Sequence, residues 1–74
     1  MKVYELVSKI GGMTKCNITV REGFDVVTST STKYVNSLSK TELKTVENFD
    51  KSVKFFNFVT DERTKQLFLE IQVD

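Results

Sequence analysis

The chain has 74 residues, room for a single domain over 1–74, and a domain of this size buries only roughly two-thirds of its extended surface. Its 11 basic residues are balanced by 10 acidic ones, five against three from Met1 to Ser37 and six against seven from Leu38 to Asp74. That balance excludes both a polycationic nucleic-acid binder and a strongly acidic DNA mimic. One cysteine, Cys16, and no histidine exclude an intrachain disulfide and a zinc site, so no metal or cofactor is expected, and oligomerisation or partner binding is left as the device that props up a small core.

Val3, Leu6, Val7 and Ile10 stand at i, i+3, i+4 and i+7, one stripe of an α-helix, with Lys2, Glu5, Ser8 and Lys9 on the polar side. The spacing predicts a helix from about Lys2 to Ile10. Lys9 suits the negative end of its dipole, and Gly11-Gly12 is expected to stop it.

Cys16, Ile18 and Val20 then alternate with polar residues, as do Phe24, Val26 and Thr28, which predicts a hairpin over Lys15–Ser29. Pairing Val20 with Phe24, Ile18 with Val26 and Cys16 with Thr28 keeps one face apolar. It leaves a three-residue loop in which Gly23 takes the positive-φ position of a G1 bulge. The Ser/Thr run Thr28 to Thr32 reads as the end of that strand, followed by a loop to about Ser37.

Ser39 and Glu42 have capping-box spacing, and Leu38 and Leu43 flank them as a hydrophobic staple. They predict a helix of about two turns, Lys40–Glu47, ending near Asn48.

A second hairpin is predicted over Ser52–Val73, around Asp61-Glu62-Arg63-Thr64. Leu67, Leu69, Ile71 and Val73 alternate on one side of its second strand. Two registers are open: Phe58 opposite Leu67 with Phe56 opposite Leu69, or Val59 opposite Leu67 with Phe55 opposite Ile71. In both, Val53, Phe55 and Val59 face one way, Phe56 and Phe58 the other, and Phe68 points away from Leu67 and Leu69. The order is α-β-β-α-β-β, an α+β domain with an antiparallel sheet.

No constellation of catalytic residues emerges. Cys16 lacks the histidine that usually activates a thiol and reads as a small core residue, while Glu70 and Asp25 are single carboxylates on strand faces. The chain is expected not to be an enzyme. The surplus of apolar side chains on the last hairpin is the better clue, because aromatics are enriched at interface hot spots. Phe55, Phe56, Phe58, Phe68 and Lys54 are the candidate binding residues, for a protein partner or a second copy in a homodimer.

Lys54-Phe55-Phe56-Asn57-Phe58-Val59 resembles in part the aromatic strand of RNA-recognition motifs, with Phe56 and Phe58 as base-stacking residues flanked by Lys54 and Lys51. Phe55 replaces that motif's glycine, Asp61 replaces its final aromatic, and the element order differs. Single-stranded nucleic acid is therefore the rival reading. No apolar run approaches the roughly 20 residues of a membrane span and no signal-peptide core follows Met1, so a cytoplasmic protein without membrane contact is expected.

Met1-Lys2-Val3-Tyr4-Glu5-Leu6-Val7, the segment Asn17-Ile18-Thr19-Val20-Arg21-Glu22-Gly23, the Leu38-Ser39 helix start and the alternating Leu67 to Val73 resemble small accessory proteins of phages and mobile elements of Gram-positive bacteria. The resemblance implies a small protein that binds and blocks a host enzyme or defence component in the host cytoplasm. It carries over no functional residues.

Overall fold

The computed structural model describes residues 1–10 and 14–74, so the expected stop at Gly11-Gly12 lies outside the described residues. Helix α1 covers Val3–Ile10; Val3, Leu6 and Val7 are buried, as the stripe predicts. Its start is fixed by Lys2, whose N–H donates to Glu5 Oε1 at 2.9 Å, and by backbone bonds from Val3 to Lys51 and from Tyr4 to Phe49.

Strands β1 (Asn17–Glu22) and β2 (Asp25–Ser31) form the first hairpin, and β3 (Val53–Thr60) and β4 (Leu67–Val73) the second. They assemble in the order β2-β1-β4-β3. Both hairpins are antiparallel, but β1 and β4 meet in parallel at the centre, so the sheet is mixed. The antiparallel expectation thus holds within each hairpin and fails between them. The chain from residue 32 to residue 52 carries the second hairpin to the far side of the first, which sets the two inner strands running the same way.

Neither hairpin takes an expected register. In the first, Glu22 pairs with Asp25 around Gly23-Phe24, and a bulge moves Thr28 opposite Val20 and Thr30 opposite Ile18. Gly23 does carry positive φ, 66°, but as the first central residue of a two-residue turn, where a type II′ turn requires it. The bulge is favoured because Val27, the extra residue, packs against the core. Thr28 is satisfied as well: its hydroxyl donates to the Glu47 carbonyl at 2.8 Å and accepts from Asn48 Nδ2 at 2.8 Å.

In the second hairpin Phe58 faces Leu69 and Phe56 faces Ile71, one residue beyond the later of the two expected registers. Asp61 holds this wider loop. Its N–H donates to the Gln66 carbonyl, its carbonyl accepts from Lys65, and its Oδ1 accepts from the N–H groups of Arg63 and Thr64. At the other end a bulge at Lys54 sets Val53 opposite Val73, while Phe55 lies opposite Gln72. Val53 and Phe55 therefore lie on opposite faces, not on the same one.

The Ser/Thr run continues the strand to Ser31, whose side chain then caps a one-turn helix, α2 (Thr32–Val35), where a loop was expected. Helix α3 covers Lys40–Leu43, half the expected length. The capping box at its start is present in full: Glu42 N–H donates to Ser39 Oγ at 3.2 Å, and Ser39 N–H donates to Glu42 Oε1 at 3.0 Å. After Leu43 too few apolar residues recur to sustain a helical face, and the chain continues in turns to Asn48, at φ 69°.

Helices α1, α2 and α3 lie on one face of the sheet. Their buried side chains and the fully buried Phe49 close over Ile18, Val20, Leu69, Ile71 and Val73. The opposite face carries Asn17, Thr19 and Arg21 of β1, Phe68, Glu70 and Gln72 of β4, and Phe55, Asn57 and Val59 of β3, and no described element covers it.

Candidate functional site

β3 is an edge strand, and burial stops at it. Phe55 is 58% exposed, Phe56 43%, Phe58 45% and Val59 39%. The Asp61–Gln66 pair is hydrogen-bonded, and the bonded and unbonded pairs of an antiparallel ladder alternate. The backbone N–H and C=O groups of Phe56, Phe58 and Thr60 therefore point away from β4. Phe56 and Phe58 share the helix-side face with Ile71 and Leu69, beyond the reach of the helical layer. Phe55 and Val59 stand on the open face.

Of the candidate residues, Phe56 and Phe58 are thus brought together two positions apart on one face. Phe55 and Phe68 share the other face, but Phe68 lies opposite Val59, four residues along, about 13 Å away at strand spacing. Phe68 is half-buried and Lys54 is exposed at the bulge. Bulges and lysines are devices that blunt sheet edges, and here they confine the open stretch to Phe56–Thr60. The other edge, β2, offers Val26 amid Ser and Thr, and Phe24 at the turn tip is fully exposed.

On the open face Arg21 Nε donates to Glu70 Oε1 at 2.9 Å, beside a shallow depression of about 370 Å³ that also takes in Thr19, Ser29, Val59 and Phe68. Glu70 therefore has a cationic partner that its position in the sequence does not reveal. Cys16 lies in the core as expected, and burial pushes its thiol up against the weaker opposing effect of a backbone hydrogen bond at Leu69. A thiol so placed is a poor nucleophile. Among the described residues no three of His, Cys, Asp and Glu are grouped to hold a metal ion.

A larger cleft, about 700 Å³, opens where the N-terminal ends of β1 and β4 meet the end of β2; Lys15, Lys33 and Lys65 line it. Sequence reasoning missed it. The three lysines are far apart in the chain and belong to no motif.

No family model, curated protein or solved structure matches this chain. No helix among the described residues is long and apolar enough to cross a membrane.

Proposed function

We propose that this protein is a non-catalytic binding module that takes a strand of a partner polypeptide onto the β3 edge, in the setting of a phage or mobile element that binds and blocks a host enzyme or defence component. The observation that carries this reading is the stretch Phe56–Thr60. It presents outward-facing backbone groups together with the exposed side chains of Phe56, Phe58 and Val59. Strand addition uses both: main-chain hydrogen bonds supply affinity and alternate side chains supply specificity. The partner in this reading is a protein, either a foreign chain or a second copy pairing its own β3.

Base stacking on Phe56 and Phe58 is less well supported, because Lys51, one of its two flanking cations, is bound to Glu22. A titration with oligonucleotides at low salt is expected to be flat.

Thr60→Pro tests the edge directly. It removes an outward N–H and leaves every aromatic in place, and proline is tolerated on an edge strand at such a position. Light scattering and capture from a host extract are expected to show an association that both Thr60→Pro and Phe56→Asp abolish, with circular dichroism unchanged. Association that survives both substitutions would place the contact elsewhere.

A further inference from the structure

We propose that the cleft between Lys15, Lys33 and Lys65 is a binding site for a compact oligophosphate, either free polyphosphate or the phosphate tail of a nucleotide. The residues that line it include three lysines and no carboxylate, although the chain as a whole is nearly neutral. The remaining eight basic residues share the rest of the chain with all ten acids. Among the described residues none of the three lysines has an ion pair, whereas Arg21 and Lys51 each do.

The lysines come from three separate places: the segment before β1, helix α2 and the β3–β4 loop. Hydrogen bonds tie their segments together. Thr32 N–H donates to the Cys16 carbonyl at 3.0 Å, Cys16 N–H donates to Thr32 Oγ1 at 3.1 Å, and Asn17 Nδ2 donates to Gln66 Oε1 at 3.4 Å.

Lys65 supplies an independent observation. Its φ is 62°, the left-handed conformation that glycine or asparagine adopts readily and a longer side chain does not. A backbone position suited to glycine thus carries a lysine at the lining of a cleft that two other lysines also line. Like charges that line one cleft repel each other, and a bound polyanion relieves that repulsion.

The class of ligand follows from what lines the cleft. A volume of about 700 Å³ is large enough for a small molecule. No aromatic side chain lines it, so it offers no platform for a base, and the phosphates must carry recognition. The three lysines line one hollow instead of following a track, which suits a compact polyanion better than an extended nucleic-acid backbone.

The test is calorimetric titration with inorganic tripolyphosphate, ATP and AMP at matched ionic strength. Tripolyphosphate and ATP are expected to bind alike and AMP at least about tenfold more weakly, the loss of one charge-assisted contact or more. Lys33→Gln and Lys65→Gly are each expected to weaken tripolyphosphate binding about tenfold. Lys40→Gln, which removes the same charge outside the cleft, is expected to leave it intact. Lys65→Gly is also expected to raise the unfolding temperature of the ligand-free protein, which shows that any loss of binding is not a loss of fold. The proposal is overturned by absence of tripolyphosphate binding, by AMP binding as tightly as ATP, or by equal losses in the Lys40 and cleft variants. Preference for an oligothymidylate over tripolyphosphate also overturns it, by making the groove a nucleic-acid track.

Discussion

β3 and β4 are the two strands of one hairpin, similar in length and apolar content, yet their side chains meet opposite fates. Leu69, Ile71 and Val73 of β4 are buried, while Phe55, Phe56, Phe58 and Val59 of β3 remain well exposed. Phe56 and Phe58 even stand directly opposite Ile71 and Leu69 on the same face of the sheet. The difference is place. β4 has a strand on either side and the helical layer above it, whereas β3 has one neighbour and lies beyond that layer. Apolar residues at an edge are surface available to a partner, and those at the centre supply the larger share of the monomer's stability.

The cross-strand pair offers the sharpest way to break this contrast. Ile71→Ala removes the smaller side chain of the two but leaves a cavity in a closed core, and is expected to cost about 2–5 kcal/mol. A 74-residue domain has roughly 4–11 kcal/mol in all, so this variant should be largely destabilised. Phe56→Ala removes more atoms from a half-wet position and is expected to cost well under half as much. Equal shifts in urea unfolding would mean that a partner surface covers β3 in solution.

Asn48 shows how the covering layer is attached. Its Nδ2 donates to the Val27 carbonyl at 3.2 Å and to Thr28 Oγ1 at 2.8 Å, tying residues 44–50 to β2. Its φ of 69° suits asparagine better than most residues. Asn48→Ala should lose both bonds and strain the backbone, for about 2 kcal/mol in total. Asn48→Gly should recover only the backbone part, and a glycine variant as stable as the parent would show that the ties contribute little.

Much of this arrangement was legible in the residues, and what was not has physical causes. The stripe Val3, Leu6, Val7 and Ile10 gave α1, and Ser39 with Glu42 gave the start of α3, because both signals are local. The hairpin registers were hidden, since the loop that Asp61 holds and the bulges at Val27 and Lys54 answer to local hydrogen bonds, core packing and sheet-edge position, not to alternation. Phe49 was missed as a core residue: it sits in a turn with no periodic neighbours and is buried only because α1 and the sheet close on it. The parallel contact of β1 with β4 depends on where a 21-residue connection, from 32 to 52, carries the chain. For the site, composition revealed the surplus aromatics of the last hairpin, but which of them lay at an open edge depended on strand order, and the lysine cleft on three distant segments meeting.

A smaller effect is expected at the base of the covering layer. Ser39→Ala removes the cap of α3, at about 1 kcal/mol. Glu42 gives this test a pH signature. Hydrogen bonds from the Ser39 backbone, and secondarily its side chain, hold the Glu42 carboxyl below the ordinary range. A depressed pKa in the folded state adds stability that is present above the unfolded value and is lost as pH falls through the folded one. Ser39→Ala removes the hydroxyl but keeps the backbone N–H that supplies the larger part, so acidification across that window should destabilise the parent only slightly more than the variant. Parallel pH profiles for the two proteins in urea titrations would show that the Ser39 hydroxyl contributes nothing to the Glu42 shift and the backbone N–H all of it.

The smallest effect belongs to the open face, where Arg21 meets Glu70. Both side chains are about a third exposed, at 38% and 31%, so solvent and salt screen the pair and its contribution is expected to be about 0.5 kcal/mol or less. A double-mutant cycle with Arg21→Gln and Glu70→Gln isolates it, and the coupling should fade as salt is raised. The value bears on the contrast between covered and open surface. If the open face is solvated in the free protein, the Arg21–Glu70 pair is weak and salt-sensitive, and the sheet draws its stability from the other side. A coupling of about 2 kcal/mol or more that resists salt would mean a desolvated pair, and hence an open face covered by a second copy of the protein.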